Sequence, residues 1–272
     1  MDKKKNIGQG DCGGLKGVVY VVGIGPGGLS HLSDKAKDAL SSSGCIVGYT
    51  RYVELIAPFI KGKEVFTTGM TREKERCQTA IRLALTGHTV SVVSSGDAGI
   101  YGMAGLILQL AEGAGMESPA YKGGPGGIMK IEVIPGVPAF VSAAALLGAP
   151  IMHDFACISL SDLLTPWQKI EERLEAAAKG DFVIILYNPK SRKRTQGLNK
   201  ALDIIRALRH KDTPAGIVRN ATRDGEEVII TSLSGIKEHY GSIDMLTIIL
   251  IGNSTTFTKG GWMITPRGYK GL

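Results

Sequence analysis

Aromatic side chains are scarce in this 272-residue chain, at 6% of residues with only two tryptophans. No Lys/Arg stretch alternates with those few rings, so the stacking platform of a nucleic-acid surface is missing and no nucleic-acid partner is expected. Cysteine is sparse as well. Cys12, Cys45, Cys77 and Cys157 are widely scattered. With no CxxC pair and no spacing that closes a zinc site, no metal is expected, and reduced, mostly buried thiols of a cytoplasmic protein fit the pattern. Long apolar runs are missing too. The longest, 18–22 and 182–187, are strand-sized and far below the roughly 18 residues of a membrane span, which points to a soluble protein with no membrane partner. Residues 1–14 open with a lysine run and then turn polar and glycine-rich, lacking the apolar stretch of a secretory signal. Residues 1–16 are therefore expected to form a disordered leader.

What is present is ordinary globular material, 43% hydrophobic and 21% charged, enough for one large domain or two modest ones. The formal net charge of +7 suits a polyanionic ligand, either nucleic acid or a small molecule with many carboxylates. Strand-like runs occur at 18–23, 44–48, 89–94, 131–134, 155–160, 182–187, 215–219, 227–231 and 246–251, bounded by Gly, Pro and Asn. Helical spacing lies between many of them. Thr71 is placed to cap a helix whose apolar face runs Cys77, Ala80, Ile81, Ala84 and Leu85 before Gly87. A second helix carries Trp167, Ile170, Leu174 and Ala177 up to Gly180, and a third buries Leu198, Ala201, Leu202, Ile205 and Leu208. The class is α/β. An alanine-rich helix at 138–147 is followed by Gly-Ala-Pro and a polar His153-Asp154 pair, so a seam near 148–155 divides an N-terminal domain, 17–150, from a C-terminal domain, 151–272. The glycine-rich segment 114–130 reads as an exposed excursion.

The strand at 18–22 runs directly into Gly23-Ile24-Gly25-Pro26-Gly27-Gly28, which satisfies the GxGxxG string of a dinucleotide fold. That reading needs a helix opening on the glycines and an acidic residue ending the next strand. Here the helical pattern starts only after Ser33, and the second strand ends in Gly48-Tyr49-Thr50-Arg51 without a carboxylate. Pro26 also removes a backbone donor from the middle of the loop. A glycine turn needed only for close packing remains the plain alternative.

Two further glycine turns follow strands in the same half of the chain: Ser94-Ser95-Gly96-Asp97-Ala98-Gly99-Ile100-Tyr101-Gly102-Met103-Ala104-Gly105, and Ile134-Pro135-Gly136-Val137-Pro138-Ala139. Three such turns at the carboxyl ends of strands describe a ligand crevice built largely from backbone, because open α/β sheets bind at that edge. Asp97 is the one obvious carboxylate there, suited to a hydroxyl or ammonium group or, more simply, to capping its own turn.

These residues carry a resemblance. The GIGPGG loop, the GDAGIYGMAG segment and the IPGVPA turn resemble the three signatures of the tetrapyrrole methylases, and the likeness extends through nearly the whole chain. The segments at 159–167, 186–191, 217–221 and 265–269 resemble one branch in particular, the precorrin-3B or cobalt-precorrin-3 carbon-17 methyltransferases of cobalamin synthesis, where methylation accompanies ring contraction. Broader members have Gly-Asp-Pro where this chain has Gly96-Asp97-Ala98, and Gly-Pro-Gly-Asp where it has Gly25-Pro26-Gly27-Gly28.

The resemblance implies two α/β domains flanking a cleft, distinct from the Rossmann-like methyltransferase fold, a homodimer, S-adenosylmethionine as cofactor and a tetrapyrrole as substrate. It implies cofactor contacts at Gly96, Asp97, Tyr101, Gly102, Pro138 and Ala139, and more loosely at Tyr187, Asn188, Ala215 and Thr247. Gly25, Pro26, Gly27, Gly28 and Arg51 would face the tetrapyrrole. Arg219, Lys190, Arg192, Lys193 and Arg194 are further candidates for its carboxylates, since guanidinium binds carboxylate bidentately, and the run 190–194 reads equally as a solvated helix entrance. A sulfonium methyl is already activated, so no catalytic triad is expected and positioning supplies much of the rate. Ring contraction moves protons, for which Asp162, Ser161, His31 and Asp97 are the candidate acids or bases. Competing readings are a methylase for another ring position, a relative acting on rRNA or diphthamide, a non-catalytic nucleotide or tetrapyrrole binder, and an NADP-dependent oxidoreductase.

Overall fold

The computed structural model describes residues 17–112, 116–117 and 129–270. The expected leader and most of the glycine-rich excursion lie outside the described residues. The chain divides into two compact units, one comprising residues 1–25 and 29–137, the other 26–28 and 138–272.

The first unit alternates strand and helix: β1 (Gly17–Gly23), α1 (Asp34–Ser42), β2 (Cys45–Tyr49), α2 (Thr50–Glu54), β3 (Glu64–Thr68), α3 (Glu73–Leu85), β4 (Thr89–Ser94), α4 (Ala104–Ala111), β5 (Met116–Glu117) and β6 (Met129–Ile134). The strands form one sheet in the order β3-β2-β4-β1-β6-β5, and every pairing is parallel. Val19, Val21 and Val22 of β1 and Val90, Val92 and Val93 of β4 are all buried, the continuous apolar runs that a sheet covered on both faces requires. One face packs on α3 and α4 through Cys77, Ala80, Ala84 and Ile107, the other on α1 through Ala36, Ala39 and Leu40. Ser33 caps α1, its hydroxyl accepting from Ala36 N at 3.2 Å. Thr71 does not cap α3: it sits at φ 67° with its hydroxyl donating to the Met70 carbonyl, and the helix starts after Arg72 without a side-chain cap.

The second unit contains α5 (Ala139–Leu147), β7 (Gly148–Ala149), β8 (Phe155–Ser159), α6 (Trp167–Lys179), β9 (Val183–Tyr187), α7 (Gln196–Arg206), β10 (Pro214–Arg219), β11 (Glu227–Ser232), β12 (Thr247–Ile251), β13 (Phe257–Lys259) and β14 (Trp262–Ile264). Its main sheet, β11-β10-β12-β9-β8, is mixed: only β8 and β9 run parallel. A small sheet, β13-β14-β7, lies beside it. Helices α6 and α7 bury Ile170, Leu174, Leu198, Ala201, Leu202 and Ile205 against the mixed sheet. Leu208, expected on that face, lies beyond the end of α7 and is 40% exposed.

The units separate at Val137/Pro138, earlier than the seam expected near 150. The reason is packing. Phe140, Ala143, Ala144 and Leu147 on α5 are buried, and Leu147 occupies the space over Gly216 of β10, where an added Cβ would meet its side chain at 2.3 Å. The Gly-Ala-Pro segment is likewise tied to the C-terminal residues, Thr265 N donating to the Ala149 carbonyl at 3.1 Å and Thr265 Oγ1 to the Pro150 carbonyl at 2.6 Å.

Candidate active site at the carboxyl edges of the sheets

Because β4, β1 and β6 are adjacent and parallel, the three glycine turns that follow them emerge side by side at one edge. They are fastened by backbone. Gly25 N donates to the Gly96 carbonyl at 3.0 Å and Gly96 N to the Gly25 carbonyl at 2.8 Å. Gly23, Gly96 and Gly136 meet so closely that a Cβ on Gly136 would lie 2.3 Å from the Gly96 carbonyl oxygen, and one on Gly23 would lie 2.6 Å from Gly136 N. No residue but glycine allows such an approach.

Asp97 locks the same corner. Its Oδ1 accepts from Gly99 N at 2.7 Å, the turn cap expected of it, while Oδ2 accepts from Gly136 N at 3.0 Å, 39 residues further on. Past this clamp, Tyr101 holds φ 51° and is 56% exposed. Gly102 has no room for a side chain, since a Cβ would stand 2.6 Å from the Ala98 carbonyl. The glycine loop does not open a helix: a short 3-10 turn at Leu29–His31 intervenes and α1 begins only at Asp34, so the phosphate cradle of a dinucleotide fold is not formed. His31 packs against Gly25, within 3.0 Å of where a Cβ there would stand. Arg51 is exposed on α2.

In the second unit, the Arg223 guanidinium donates through Nε to the Pro26 carbonyl and lies against Gly27, where a Cβ would stand 2.3 Å from Arg223 Cγ. The edge formed by the carboxyl ends of β8 and β9 is fastened by side chains. Asn188, at φ 51°, donates through Nδ2 to Ser159 Oγ at 2.9 Å, and Ser161 N donates to the same hydroxyl at 3.2 Å. Tyr187 Oη accepts from Phe140 N at 3.2 Å, supplying the cap that Pro138 lacks at the start of α5. Pro138, Ala139 and Tyr187 are thus brought together. Strand register separates the remaining pair: Thr247 faces Arg219 at one end of β12, while Ala215 faces Ile251 four residue pairs away, roughly 13 Å along the strands. Ala215 is wholly buried in the hydrophobic core, and Thr247 is buried beside Asp244.

Asp162, Arg194, Lys193 and the first residues of α7 line a small cavity with Leu160 and Trp167. Arg194 is occupied, donating to the Leu160 carbonyl at 2.7 Å with Asp162 Oδ1 3.8 Å from its Nε. Lys190 is bound to the Tyr240 carbonyl and stands 4.2 Å from the centroid of that ring. Arg219 pairs with Asp244 at 3.0 Å. Arg192 and Lys193 are exposed. Arg223 escaped the sequence reading, and so did a second charged residue. Arg76 lies on the buried face of α3, 3% exposed, and its signal was a charge four residues before Ala80 in an otherwise apolar stripe. Among the described residues no cluster of His, Cys, Asp or Glu could hold a metal ion, and no helix is long and apolar enough to cross a membrane.

Two α/β units with glycine-fastened strand ends are the architecture of a methylase family. Residues 18–237 match the Tetrapyrrole (Corrin/Porphyrin) Methylases, and the chain belongs to that family. It is 48% identical over 256 residues to a cobalt-factor III methyltransferase of Priestia megaterium, covering 94% of this chain but only 46% of that protein. A probable cobalt-factor III C(17)-methyltransferase of Salmonella typhimurium is 47% identical over 252 residues, covering 93% of this chain and 99% of the relative. A precorrin-3B C(17)-methyltransferase of a Sinorhizobium species is 32% identical over 265 residues, covering 94% and 99%. Among solved structures, the methyltransferase CobJ superposes with a TM-score of 0.83 at 35% identity, over 92% of this chain and 100% of that one. The fold is that of the tetrapyrrole methylases.

Proposed function

We propose that this chain is an S-adenosylmethionine-dependent C-methyltransferase of cobalamin biosynthesis, methylating a cobalt-containing corrin precursor at carbon 17 with associated ring contraction. The observation that carries the reading is the near-complete alignment with the Salmonella C(17)-methyltransferase. The cobalt-containing substrate is favoured over metal-free precorrin-3B by the identities, 47–48% to the cobalt-factor III relatives against 32% to the precorrin-3B enzyme.

The loops fit the proposed cofactor. Gly99, Tyr101 and Pro135 are their exposed residues, and the Asp97 carboxylate is occupied by two N–H groups, a surface suited to a nucleoside amino acid more than to a pyrophosphate. Gly96, Asp97, Tyr101, Gly102, Pro138 and Ala139 hold it in this reading, with Tyr187 and Asn188 shaping the second unit's edge; Thr247 lies near that edge and Ala215 does not. When bound, S-adenosylmethionine supplies a methyl group on a sulfonium, which transfers without acid assistance. The chain's own task is to orient, exclude water and move protons. Gly25, Pro26, Gly27, Gly28 and Arg51 face the tetrapyrrole. His31 in the first unit and Ser161 with Asp162 in the second are the proton-handling candidates, whereas the double backbone contact of Asp97 suits a clamp. A cytoplasmic homodimer completes the proposal, with the exposed Phe155, Phe257 and Trp262 of the second unit as the apolar surface to be covered. Light scattering that finds only monomer would remove that part.

Calorimetric titration with S-adenosylhomocysteine, with NADP as control, tests the cofactor. We expect one-to-one binding of the first and none of the second; NADP binding alone would overturn the reading. Anaerobic incubation with S-adenosylmethionine and cobalt-factor III or precorrin-3B should give the faster methyl incorporation with the cobalt substrate.

A further inference from the structure

Among the described residues, the side chains of Arg209 and Arg76 are both buried, and they are treated differently. Arg209, its side chain 5% exposed, has Asp181 Oδ1 2.6 Å from its Nη1. Arg76, 3% exposed, meets only neutral acceptors. Its Nε donates to Thr68 Oγ1 at 2.9 Å and its Nη2 to the Gly69 carbonyl at 3.0 Å, while Nη1 is directed at the Met103 thioether, 3.6 Å away. No described carboxylate pairs with it. Arginine is rarely this buried without a counter-charge, because the desolvated cation is costly unless an anion faces it.

The position of this unbalanced charge is specific. Thr68 and Gly69 mark the carboxyl end of β3, and Met103 is the last residue of the β4 loop, directly before α4. Arg76 therefore lies within the carboxyl edge of the parallel sheet, the edge at which such sheets receive ligands. Thioether sulfur is a weak acceptor on a flexible side chain, so of the three groups on the guanidinium it is the one most readily replaced.

We infer that Arg76 is the counter-cation of a ligand carboxylate, which takes the place of the Met103 sulfur on Nη1. This rests on reading the glycine loops as the ligand-binding edge of a methyltransferase. That reaction brings two sources of carboxylate to the edge: the aminoacyl end of the cofactor, and the acidic side chains of the macrocycle. Both offer the planar, charge-assisted contact that guanidinium favours.

The test uses the full chain as wild type, Arg76→Gln and Met103→Glu, titrated with S-adenosylhomocysteine, with 5′-methylthioadenosine, which keeps the nucleoside thioether but lacks the aminoacyl carboxylate, and with uroporphyrin III as a stable polycarboxylate. Glutamine keeps an amide donor without the charge. The carboxylate introduced by Met103→Glu would neutralise Arg76 in place, so that variant carries the test if Arg76→Gln does not fold. We expect each variant to lose roughly 10- to 100-fold in affinity for the carboxylate-bearing partner, with methylthioadenosine binding unchanged. Loss confined to S-adenosylhomocysteine assigns the cofactor carboxylate, and loss confined to uroporphyrin assigns the substrate. Wild-type affinity for all three probes in both variants overturns the inference, as does an equal loss for all three. Failure of the wild type itself to bind either carboxylate probe would instead overturn the methyltransferase reading.

Discussion

The two main sheets fasten their carboxyl edges by different means. In the first unit, β1, β4 and β6 are parallel neighbours; their loops are bonded main chain to main chain at Gly25 and Gly96, Gly23 and Gly136 close in on the same point, and the Asp97 carboxylate ties in Gly136 N. In the second unit the edge depends on side chains that reach across the fold, Asn188 to Ser159 and Tyr187 to Phe140. A backbone joint tolerates no added atom, whereas a side-chain joint can lose a hydroxyl and keep its packing. Sensitivity to substitution should therefore differ sharply between the two edges.

The most damaging single change should be Gly136→Ala. A Cβ placed 2.3 Å from the Gly96 carbonyl and 2.7 Å from Gly23 must push two loops apart. We expect a loss on the order of 1–3 kcal/mol in denaturant unfolding, of the size seen for overpacked cores, together with loss of S-adenosylhomocysteine binding. A variant that binds normally would show that the loops are not interlocked. Tyr187→Phe should cost less, about 0.5–1.5 kcal/mol, for one hydrogen bond at the start of α5. An effect as large as that of Gly136→Ala would erase the contrast between the edges.

The smallest effect is expected mid-strand in β6. Glu132 is held below the usual carboxylate range by hydrogen bonds from Lys35 and then Lys130, against the opposing effect of burial. A lowered folded-state value means that this contribution is fully present above the unfolded value of about 4.3 and fades as pH falls through the folded one. Glu132→Gln should thus flatten the acid side of the stability profile by under about 1 kcal/mol and leave neutral-pH ligand binding untouched. An unchanged acid limb would show that the two lysines stabilise nothing.

The same contrast explains what could be read before the fold was known. Glycine turns after apolar strands are local signals, so the three loops and most strands were legible. Strand β3 was not, because it is an edge strand whose Val65 is 43% exposed and whose sequence shows no alternation. Asp97 announced itself as a turn residue, but its second partner lies 39 residues away. Ala215 and Thr247 could be grouped from a family likeness, while only antiparallel register shows that they occupy opposite ends of one strand pair. Arg76 was hidden among ordinary helical charges, since its isolation depends on Thr68, Gly69 and Met103 converging from the end of β3 and from the β4 loop.

The topology of β1 also constrains the order of assembly. Strand β1 is an interior strand of its sheet, pairing Val18 with Thr89 on one side and with Lys130 on the other. Neither partner is close along the chain, so closing these contacts carries the entropic delay of long loops. β1 therefore completes its two pairings only once β4 and β6 are both in place. The Gly25–Gly96 joint, which hangs from the ends of β1 and β4, needs only those two strands, whereas the close approach of Gly136 to both waits for β6.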